Sequence, residues 1–279
     1  MPELPEVETV VRSLQRLIAK RKILDAGLIR PRLAPDTEPL IFSGLLKGAS
    51  INFVHRRGKH ILFDLDHGRT LITHLRMSGR FMLLTANDVD PRFTHAVFFL
   101  DDETRLLFQD QRHFGYMKIV DTANLHDAKE LRSLAPEPFS DEFSLKYFRQ
   151  SLKSSKRPVK EFLLDQTKVC GLGNIYASEA MFLARVDPRE PANSISKRKT
   201  SALYQVIRAV LLEAVELGAA REINPENIGG SIYGIESEPN WLVYDRENLP
   251  CLKCSRPIAR LKQAGRSTYF CTKCQRKRI

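Results

Sequence analysis

The sequence predicts an α+β protein in which a helix precedes an antiparallel β-sandwich, further helices follow, and a small cysteine-containing hairpin ends the chain. Three observations predict this order: helical spacing of apolar residues near the amino terminus, alternating or continuous apolar runs over 49–120, and helical spacing again after residue 200. Strands do not alternate with helices, so we expect an antiparallel sheet. The 279 residues, 43% of them hydrophobic, suffice for two domains.

The first predicted helix covers roughly residues 5–20. Its apolar residues recur three or four positions apart: Val7, Val10, Val11, Leu14, Leu17 and Ile18. Pro5 suits the first turn of a helix, and the carboxylate of Glu6 complements the positive end of the helix dipole. This explanation leaves Pro2 and Glu3, which precede the helix, without a structural role.

The predicted strands fill residues 49–120, with breaks at Gly68 and Gly79. The stretch HAVFFLDDETRLLF predicts a hairpin that turns at 101–104. The stretch LAPEPFSDEF at 134–143 contains two prolines and is the best candidate for a linker.

The second half reads as helical. A glycine-rich turn in CGLGNIYASEA (170–180) is expected to lead into one helix, and Gly218 to end a longer one. The longer helix is marked by apolar residues at helical spacing: Leu203, Val206, Ile207, Val210, Leu211, Ala214 and Leu217.

The charge of the chain points to a polyanionic partner or an acidic membrane surface. The formal net charge is +11, and residues 251–279 contain nine Lys and Arg but no Asp or Glu. A solvated tail is the ordinary explanation of such a run, but four cysteines in it argue against disorder. The chain has no run of about 18 apolar residues and no secretory signal order, so we expect a soluble, intracellular (cytoplasmic) protein without a membrane partner.

The four cysteines near the end have the spacing of a zinc site. They form two C-x2-C pairs sixteen residues apart: Cys251, Cys254, Cys271 and Cys274. Disulfides are the alternative, but nothing suggests an oxidising compartment. Four thiolates leave no open position, so one Zn2+ would be structural. The segment 263–268 should reverse the hairpin and present Arg266 to phosphates, while Cys170 remains a buried thiol.

The opening MPELPEVET suggests a chemical role for its second residue. If Met1 is removed, the nitrogen of Pro2 becomes a secondary amine that can attack an aldehyde-like carbon and form an iminium. A free α-amino group titrates near pH 8, below lysine, so more of it is nucleophilic at neutral pH. Glu3 would lie beside it as a proton donor or acceptor.

These motifs together resemble one family. MPELPEVET, HLRMSG (74–79), DQRHFG (110–115), GLGNIYASE (171–179) and the paired C-x2-C motifs occur in the order found in formamidopyrimidine-DNA glycosylase and endonuclease VIII. The resemblance runs from Pro2 to Cys274. It implies a catalytic β-sandwich domain (1–133), a helix-two-turns-helix domain (134–244) and a zinc finger hairpin (245–279). It also implies that damaged double-stranded DNA is the partner of a monomer.

The resemblance implies a mechanism in which the damaged nucleotide leaves the duplex, because its C1′ cannot be reached inside the stack. Pro2 attacks C1′ and Glu3 assists opening of the sugar ring. The covalent iminium then permits β- and δ-elimination.

Lys59 matches the proton donor of β-elimination. Without the resemblance, we would interpret this lysine as a phosphate contact at a strand edge. Arg266 matches the residue assigned to δ-elimination, although a guanidinium hardly gives up a proton and suits gripping phosphate better.

The same resemblance assigns DNA contacts. Met77, Arg112 and Phe114 match the residues that fill the hole left by the everted nucleotide, although Met77 and Phe114 would otherwise read as core residues. Asn174, at the start of a helix, is expected to hold a phosphate, to cap the helix, or both. Further contacts to the DNA backbone are assigned to His95, His113, Lys156 and Lys160, for which plain surface charge is the alternative.

Three departures from the family pattern affect these assignments. His113 stands in place of a second arginine, and Asp245 in place of a glycine. The stretch 229–244 is shorter than usual, and in the formamidopyrimidine branch this loop closes over 8-oxoguanine. A shorter loop should leave the pocket more open. The resemblance implies excision of oxidised purines, with two alternatives: an endonuclease VIII-like preference for oxidised pyrimidines, or a zinc-dependent binder of damaged DNA without turnover. No role is assigned to the remaining histidines that lack ligand spacing: His60, His67 and His126.

Overall fold

A computed structural model of the chain describes residues 1–220, 224–229 and 241–276. The chain divides into two compact units, one built on Met1–Arg132 with the segment that begins at Val215, the other on Ser133–Ala214 with the carboxyl-terminal hairpin. In the described ranges, no helix is both long and apolar enough to cross a membrane.

Within the residues that the structure describes, the first unit contains two complete α-helices and eight strands. Its helices are α1 (Leu4–Ile18) and α2 (Pro39–Leu46). Its strands are β1 (Ile23–Leu28), β2 (Ile51–Arg57), β3 (His60–Leu65), β4 (Arg69–His74), β5 (Gly79–Thr85), β6 (Thr94–Leu100), β7 (Thr104–Asp110) and β8 (Tyr116–Asp121). Short 3₁₀ helices lie at Pro31–Leu33, Thr122–Asp127 and Pro225–Asn227.

The strands form two four-stranded antiparallel sheets, ordered β1-β6-β7-β5 and β2-β3-β4-β8. Apolar side chains of both sheets and of α1 share one buried cluster. Phe63 of the second sheet and Phe81 of the first meet with ring centroids 5.6 Å apart. Burial between two facing sheets is the packing of a β-sandwich, so the predicted architecture of this unit is confirmed.

Helix α1 and the hairpin at 101–104 lie where the sequence predicts them. The apolar side of α1 is buried, and the helix ends at Ile18, two residues earlier than expected. Strand β1 and helix α2 were missed, because the expected strands began only at residue 49. Strand β1 pairs with β6, and its hydrogen bonds form with residues about seventy positions later in the chain.

In its described residues, the second unit contains four α-helices, the last of which ends in the first unit, and a hairpin. They are α3 (Leu145–Lys153), α4 (Val159–Leu164), α5 (Asn174–Leu183), α6 (Lys197–Ala219), β9 (Ala259–Gln263) and β10 (Arg266–Phe270), with a 3₁₀ turn at Ala192–Ser194. Helix α6 ends at Ala219, one residue past Gly218, so the predicted end of this helix is confirmed to within one residue. The helices pack around one apolar cluster, and Ser144 caps α3 by accepting a hydrogen bond from the Tyr147 N–H (3.1 Å).

The turn between β9 and β10 consists of two residues in the left-handed region, Ala264 (φ +46°) and Gly265 (φ +76°). Gln263 and Arg266 pair directly across it. Two consecutive positive φ angles define the tight turn that matches the twist of antiparallel strands. The predicted reversal at 263–268 is therefore confirmed.

The proline-containing stretch 134–143 is packed rather than free. Phe143 is fully buried in the apolar cluster of the second unit, and the Ala135 N–H donates to the Gln166 carbonyl (2.9 Å). The stretch is therefore part of the second unit, contrary to its interpretation as a plain linker.

Substituting Phe143→Ala tests this packing. Removing a fully buried phenyl ring is expected to lower the free energy of unfolding of the second unit by about 3–5 kcal/mol. The single tryptophan, Trp241, packs against the same cluster, so its fluorescence during urea titration reports on this unit. The exposed neighbour Asp141→Ala is the control, expected to change stability by less than about 0.5 kcal/mol. Equal stability of the two variants would mean that 134–143 is only a tether.

Candidate functional site

The amino terminus of the first unit is held by reciprocal hydrogen bonds. Glu3 is the N-cap residue of α1: its carboxylate accepts from the Glu6 N–H, and its own N–H donates to Glu6 Oε2 (2.6 Å). Both glutamates are buried. Such a capping box satisfies two helix-end donors at once. Glu3 thus has the structural role that the sequence did not reveal, and it places the half-buried Pro2 immediately ahead of the helix.

Lys59 lies in the tight turn between β2 and β3. Gly58 adopts a left-handed conformation there (φ +59°), and Arg57 pairs with His60 across the turn. The side chain of Lys59 is buried. A contact at an exposed strand edge, the alternative interpretation of this lysine, does not fit that burial.

Two histidines beside Lys59 were missed as site residues. His60 of β3 and His74 of β4 pair in register, and their ring centroids are 4.7 Å apart. Burial lowers the pKa of His60 to about 4. Burial, followed by the positive charges of His60, Arg76 and Lys59, lowers the pKa of His74 to about 2. Both rings are therefore neutral at pH 7 and add no positive charge beside Lys59.

Arg76 follows His74 in the motif HLRMSG and was also missed. Its side chain is exposed, its backbone is left-handed (φ +54°), and its N–H donates to His74 Nδ1 (2.9 Å). The guanidinium lies 5.5 Å from the centre of the Tyr116 ring. The motif HLRMSG contains both His74 and Arg76, so the sequence could have indicated them. Their contacts with His60 and Tyr116 could not be predicted, because these contacts depend on how β3, β4 and β8 pair.

Met77, Arg112 and Phe114 lie on two loops, one between β4 and β5 and the other between β7 and β8. Met77 is 46% exposed and Phe114 51% exposed, so neither is a core residue. The guanidinium of Arg112 stacks 5.2 Å from the centre of the Phe114 ring. An exposed thioether, an exposed ring and a planar cation form a surface that can replace a stacked base.

His95 and His113 contact each other directly. His113 Nδ1 lies 2.9 Å from His95 Nε2, and the two rings are nearly coplanar. One hydrogen fits between these nitrogens, so the rings cannot both be fully protonated in this geometry. Burial lowers the pKa of His95, and the charges of His113 and Arg30 lower it further, while Asp110 opposes them.

In the second unit, Asn174 is the first residue of α5, and the cap position belongs to Gly173. The expected capping role of Asn174 is therefore wrong. Its Nδ2 donates to the Ser267 carbonyl of β10 (3.1 Å) and so connects the start of α5 to the hairpin. Its Oδ1 is buried without a hydrogen-bond partner within the described part of the chain.

The two lysines assigned to DNA contact differ in burial. Lys156 is exposed. Lys160 is fully buried, and its Nζ donates to Ser178 Oγ (2.6 Å) and to the Asn174 carbonyl (3.1 Å). A surface charge is therefore excluded for Lys160: its ammonium supports the first turn of α5 from within, and a direct contact to the DNA backbone does not fit this burial.

The hairpin of the second unit carries the cysteine site. The four thiol sulfurs of Cys251, Cys254, Cys271 and Cys274 all lie within 4.8 Å of one another. A tetrahedron with Zn–S bonds of about 2.3 Å requires S···S distances of about 3.8 Å. The Cys254–Cys271 and Cys251–Cys274 sulfurs are 3.4 Å and 3.9 Å apart. The donor set therefore fits one structural Zn2+, and Cys170 lies apart from it as a fully buried thiol.

Gln275 joins this hairpin to the helices. Its Oε1 accepts from the Cys271 N–H (2.9 Å) and its Nε2 donates to the Val186 carbonyl (2.9 Å). Arg266 stands exposed at the turn of the hairpin, where the sequence expected it.

The loop whose length bears on substrate choice, 229–244, lies mostly outside the described residues, which resume at Trp241. The end of that stretch is fixed by Glu179, whose buried carboxylate accepts from the N–H groups of Leu242, Val243 and Tyr244 at 2.8–3.0 Å. Asp245 keeps the left-handed conformation (φ +56°) that a glycine adopts readily, and its Oδ1 accepts from the Tyr269 hydroxyl (3.0 Å).

Three family models match the chain: the formamidopyrimidine-DNA glycosylase N-terminal domain at 1–117, the formamidopyrimidine-DNA glycosylase H2TH domain at 134–224, and the zinc finger found in FPG and IleRS at 248–276. Among curated relatives, the formamidopyrimidine-DNA glycosylase of Listeria innocua is 38% identical over 277 residues, covering 99% of this chain and 100% of the relative. That of Bacillus licheniformis is 40% identical over 279 residues, with the same coverage.

Solved structures of the Lactococcus lactis formamidopyrimidine-DNA glycosylase are similar over the whole chain. One, non-covalently bound to DNA that contains an abasic site, has a TM-score of 0.88 at 32% identity and covers 99% of this chain and 100% of its own. Another, with DNA that contains N7-benzyl-Fapy-dG, has a TM-score of 0.90 at the same identity and coverage.

Replacing one ligand cysteine tests the zinc site. Cys254→Ser is expected to lower bound zinc from one ion per chain to well below half, because a serine hydroxyl is a poor ligand in a thiolate site. The hairpin amides of β9 and β10 should then exchange hydrogen faster, since metal binding and folding are coupled. Cys170→Ser is the matched control and should keep one zinc per chain by elemental mass spectrometry. Loss of zinc from the control would place the metal elsewhere.

Proposed function

This chain belongs to the formamidopyrimidine-DNA glycosylase family, and on that premise we propose that it is a base-excision-repair DNA glycosylase with abasic-site lyase activity. Its proposed substrates are oxidised purines in duplex DNA, formamidopyrimidine foremost and 8-oxoguanine with it. The observation that carries the proposal is Pro2, which stands immediately before a capped, buried helix in a chain that full-length relatives match from end to end.

The proposed reaction begins at the nitrogen of Pro2 once Met1 has been removed. That secondary amine attacks C1′ of the everted nucleotide while the glycosidic bond breaks, and Glu3 donates a proton to the sugar oxygen so that the ring opens. The resulting iminium acidifies C2′, so that β-elimination breaks the bond to the 3′ phosphate and δ-elimination breaks the bond to the 5′ phosphate. The capping box favours this role, because its hydrogen bonds hold the buried Glu3 carboxyl group in place one residue from Pro2.

Lys59 and Arg266 complete the proposed chemistry. The buried Lys59 is the proton donor during β-elimination, with neutral His60 and His74 beside it. The exposed Arg266 binds the phosphate that leaves during δ-elimination, because its guanidinium donates two parallel hydrogen bonds and hardly gives up a proton.

DNA contacts are proposed for residues of both units. Met77, Arg112 and Phe114 fill the hole left by the everted nucleotide, and Lys156, His95, His113 and Asn174 contact the DNA backbone. Lys160 supports Asn174 from within the protein. We propose functional domains at 1–133, 134–244 and 245–279 that act as a monomer.

An endonuclease VIII-like preference for oxidised pyrimidines is the second candidate. The relatives carry the name formamidopyrimidine-DNA glycosylase, which favours purine lesions, but one solved Lactococcus lactis complex contains an oxidised pyrimidine. Single-turnover cleavage of otherwise identical duplexes with formamidopyrimidine, 8-oxoguanine or thymine glycol distinguishes the two. Failure on both purine lesions would reject the first choice.

Borohydride trapping tests the covalent step. With abasic duplex DNA, protein that begins at Pro2 should form a reduced adduct, and tandem mass spectrometry should locate it on Pro2. Protein that retains Met1 has its amine displaced by about 3.8 Å, so trapping is expected to fall at least 100-fold. An adduct on Lys59, or tight binding without any adduct, would overturn the proposal and favour a different nucleophile or a non-catalytic binder.

The His95–His113 pair gives a pH dependence. A DNA phosphate favours the protonated pair, so the pKa of the pair is higher in the complex than in free protein. The protein should therefore bind an abasic-site analogue most tightly at a pH below the pKa of the free pair. The affinity should fall as the pH rises through the pKa that the pair has in the complex. In the free protein, burial lowers the pKa of His95, and the charges of His113 and Arg30 lower it further, so the His95 ring carries a charge at neutral pH only when a phosphate favours it.

Between pH 5.5 and 8, the dissociation constant is expected to rise about tenfold, which corresponds to about 1.4 kcal/mol. Substituting His113→Arg should abolish most of this rise, since arginine stays charged. His67→Arg, an exposed site elsewhere in the unit, adds the same charge and should keep the rise. Fluorescence anisotropy at constant ionic strength measures all three proteins. Parallel pH profiles for wild type and His113→Arg would contradict the assignment.

A further inference from the structure

Phe108 and Asp110 lie two positions apart on β7 and face the same side of the sheet. They contact both the loop that carries Met77 and the loop that carries Arg112 and Phe114. Residues two apart on a strand face the same side, and both are fully buried. One loop precedes β5 and the other follows β7, and the motifs HLRMSG and DQRHFG are the sequences of these loops.

The carboxylate of Asp110 accepts hydrogen bonds from both loops. Oδ1 accepts from the Ser78 hydroxyl and from the Arg112 N–H (3.1 Å), and the same hydroxyl oxygen accepts from the Arg112 N–H (3.0 Å). Oδ2 accepts from the N–H groups of Phe114 (2.8 Å) and Gly115 (2.7 Å). Burial raises the pKa of Asp110, but these hydrogen bonds outweigh it, and the pKa lies below its ordinary value.

The ring of Phe108 limits what either loop can contain. A Cβ atom on Gly79 would lie 2.5 Å from the Leu75 carbonyl oxygen and 2.8 Å from Phe108 Cζ. A Cβ atom on Gly115 would lie 2.8 Å from the same Cζ and 3.2 Å from Asp110 Oδ2. Both loops therefore approach β7 more closely than any residue with a side chain permits. The Leu75 carbonyl and the Phe108 ring together require a glycine at position 79, and the same ring requires one at position 115.

We propose that Asp110 is a positioning residue for nucleotide eversion, holding Met77, Arg112 and Phe114 as one preassembled wedge. The inference rests on the proposed glycosylase function. Hydrogen bonds from Ser78, Arg112, Phe114 and Gly115 to one carboxylate order the two loops before DNA arrives. The conformational entropy of ordering them is therefore not lost when the nucleotide leaves the stack.

Substituting Asp110→Asn tests this role, because the amide keeps the shape but has one acceptor oxygen where the carboxylate has two. Excision of formamidopyrimidine paired with cytosine is expected to fall roughly 30-fold under single-turnover conditions. With the same lesion opposite an abasic analogue, no base pair has to be broken, and the loss should stay below about threefold. A structural defect would reduce both rates equally and would overturn the inference.

Two further variants keep the test decisive. Asp64→Asn is the matched control, since Asp64 is a partly buried carboxylate of the same unit that accepts from Thr70 Oγ1 (2.9 Å) and contacts neither loop. It should reduce excision of the two substrates alike. If Asp110→Asn fails to fold, Ser78→Ala removes a single donor from the Met77 loop and should cause a smaller loss, again confined to the paired lesion.

The wild type separates the two hypotheses. If wild-type protein excises neither substrate, the proposed function itself fails. If it excises both and the Asp110→Asn loss does not depend on pairing, only the positioning role fails. Amide hydrogen exchange of residues 112–115 adds a readout independent of activity, and it should accelerate in Asp110→Asn but not in Asp64→Asn.

Discussion

The reciprocal hydrogen bonds between Glu3 and Glu6 determine where the chain begins in space. They satisfy donors at the first turn of α1, and the buried side chains of Val7, Val10 and Leu14 pack that helix into the apolar cluster of the sandwich. A terminal residue is normally among the least ordered of a protein. Here Pro2, the proposed nucleophile, is only one position from the buried N-cap of α1, so the backbone that follows it directly is held by the helix.

The capping box also shows why one glutamate can serve two purposes. As the N-cap of α1, Glu3 accepts from the backbone N–H of Glu6, and its own N–H donates to the Glu6 side chain. These two hydrogen bonds hold the Glu3 carboxyl group in place one residue from Pro2. The same carboxyl group is the one that is proposed to donate and then regain a proton.

The sequence predicted features whose determinants are local. Helix α1, the turn at 101–104, the reversal at 263–268 and the four cysteines each depend on residues close together in the chain. Strand β1 was missed because Asp25 and Gly27 interrupt its apolar pattern, and its pairing with β6 decides its conformation. The stretch 134–143 looked like a linker because prolines are visible in a sequence, whereas the burial of Phe143 is not.

The sequence named candidate residues for the site, but it did not predict how these residues contact one another. The arrangement of the site depends on residues that are far apart in the sequence. His113 contacts His95, and Asn174 donates a hydrogen bond to the Ser267 carbonyl. Lys160 is buried, which its sequence neighbours do not indicate. Net charge was equally uninformative about position, since Lys59 and Lys160 are buried although both were candidates for surface contacts. The exposed Lys156 and Arg266 can attract a polyanion through long-range electrostatics, which salt screens, whereas the charge of the buried Lys59 is screened much less. Burial therefore decides which part of the positive charge acts at long range and which part is left for the local role proposed for Lys59. The amino-acid composition contains no information on this division.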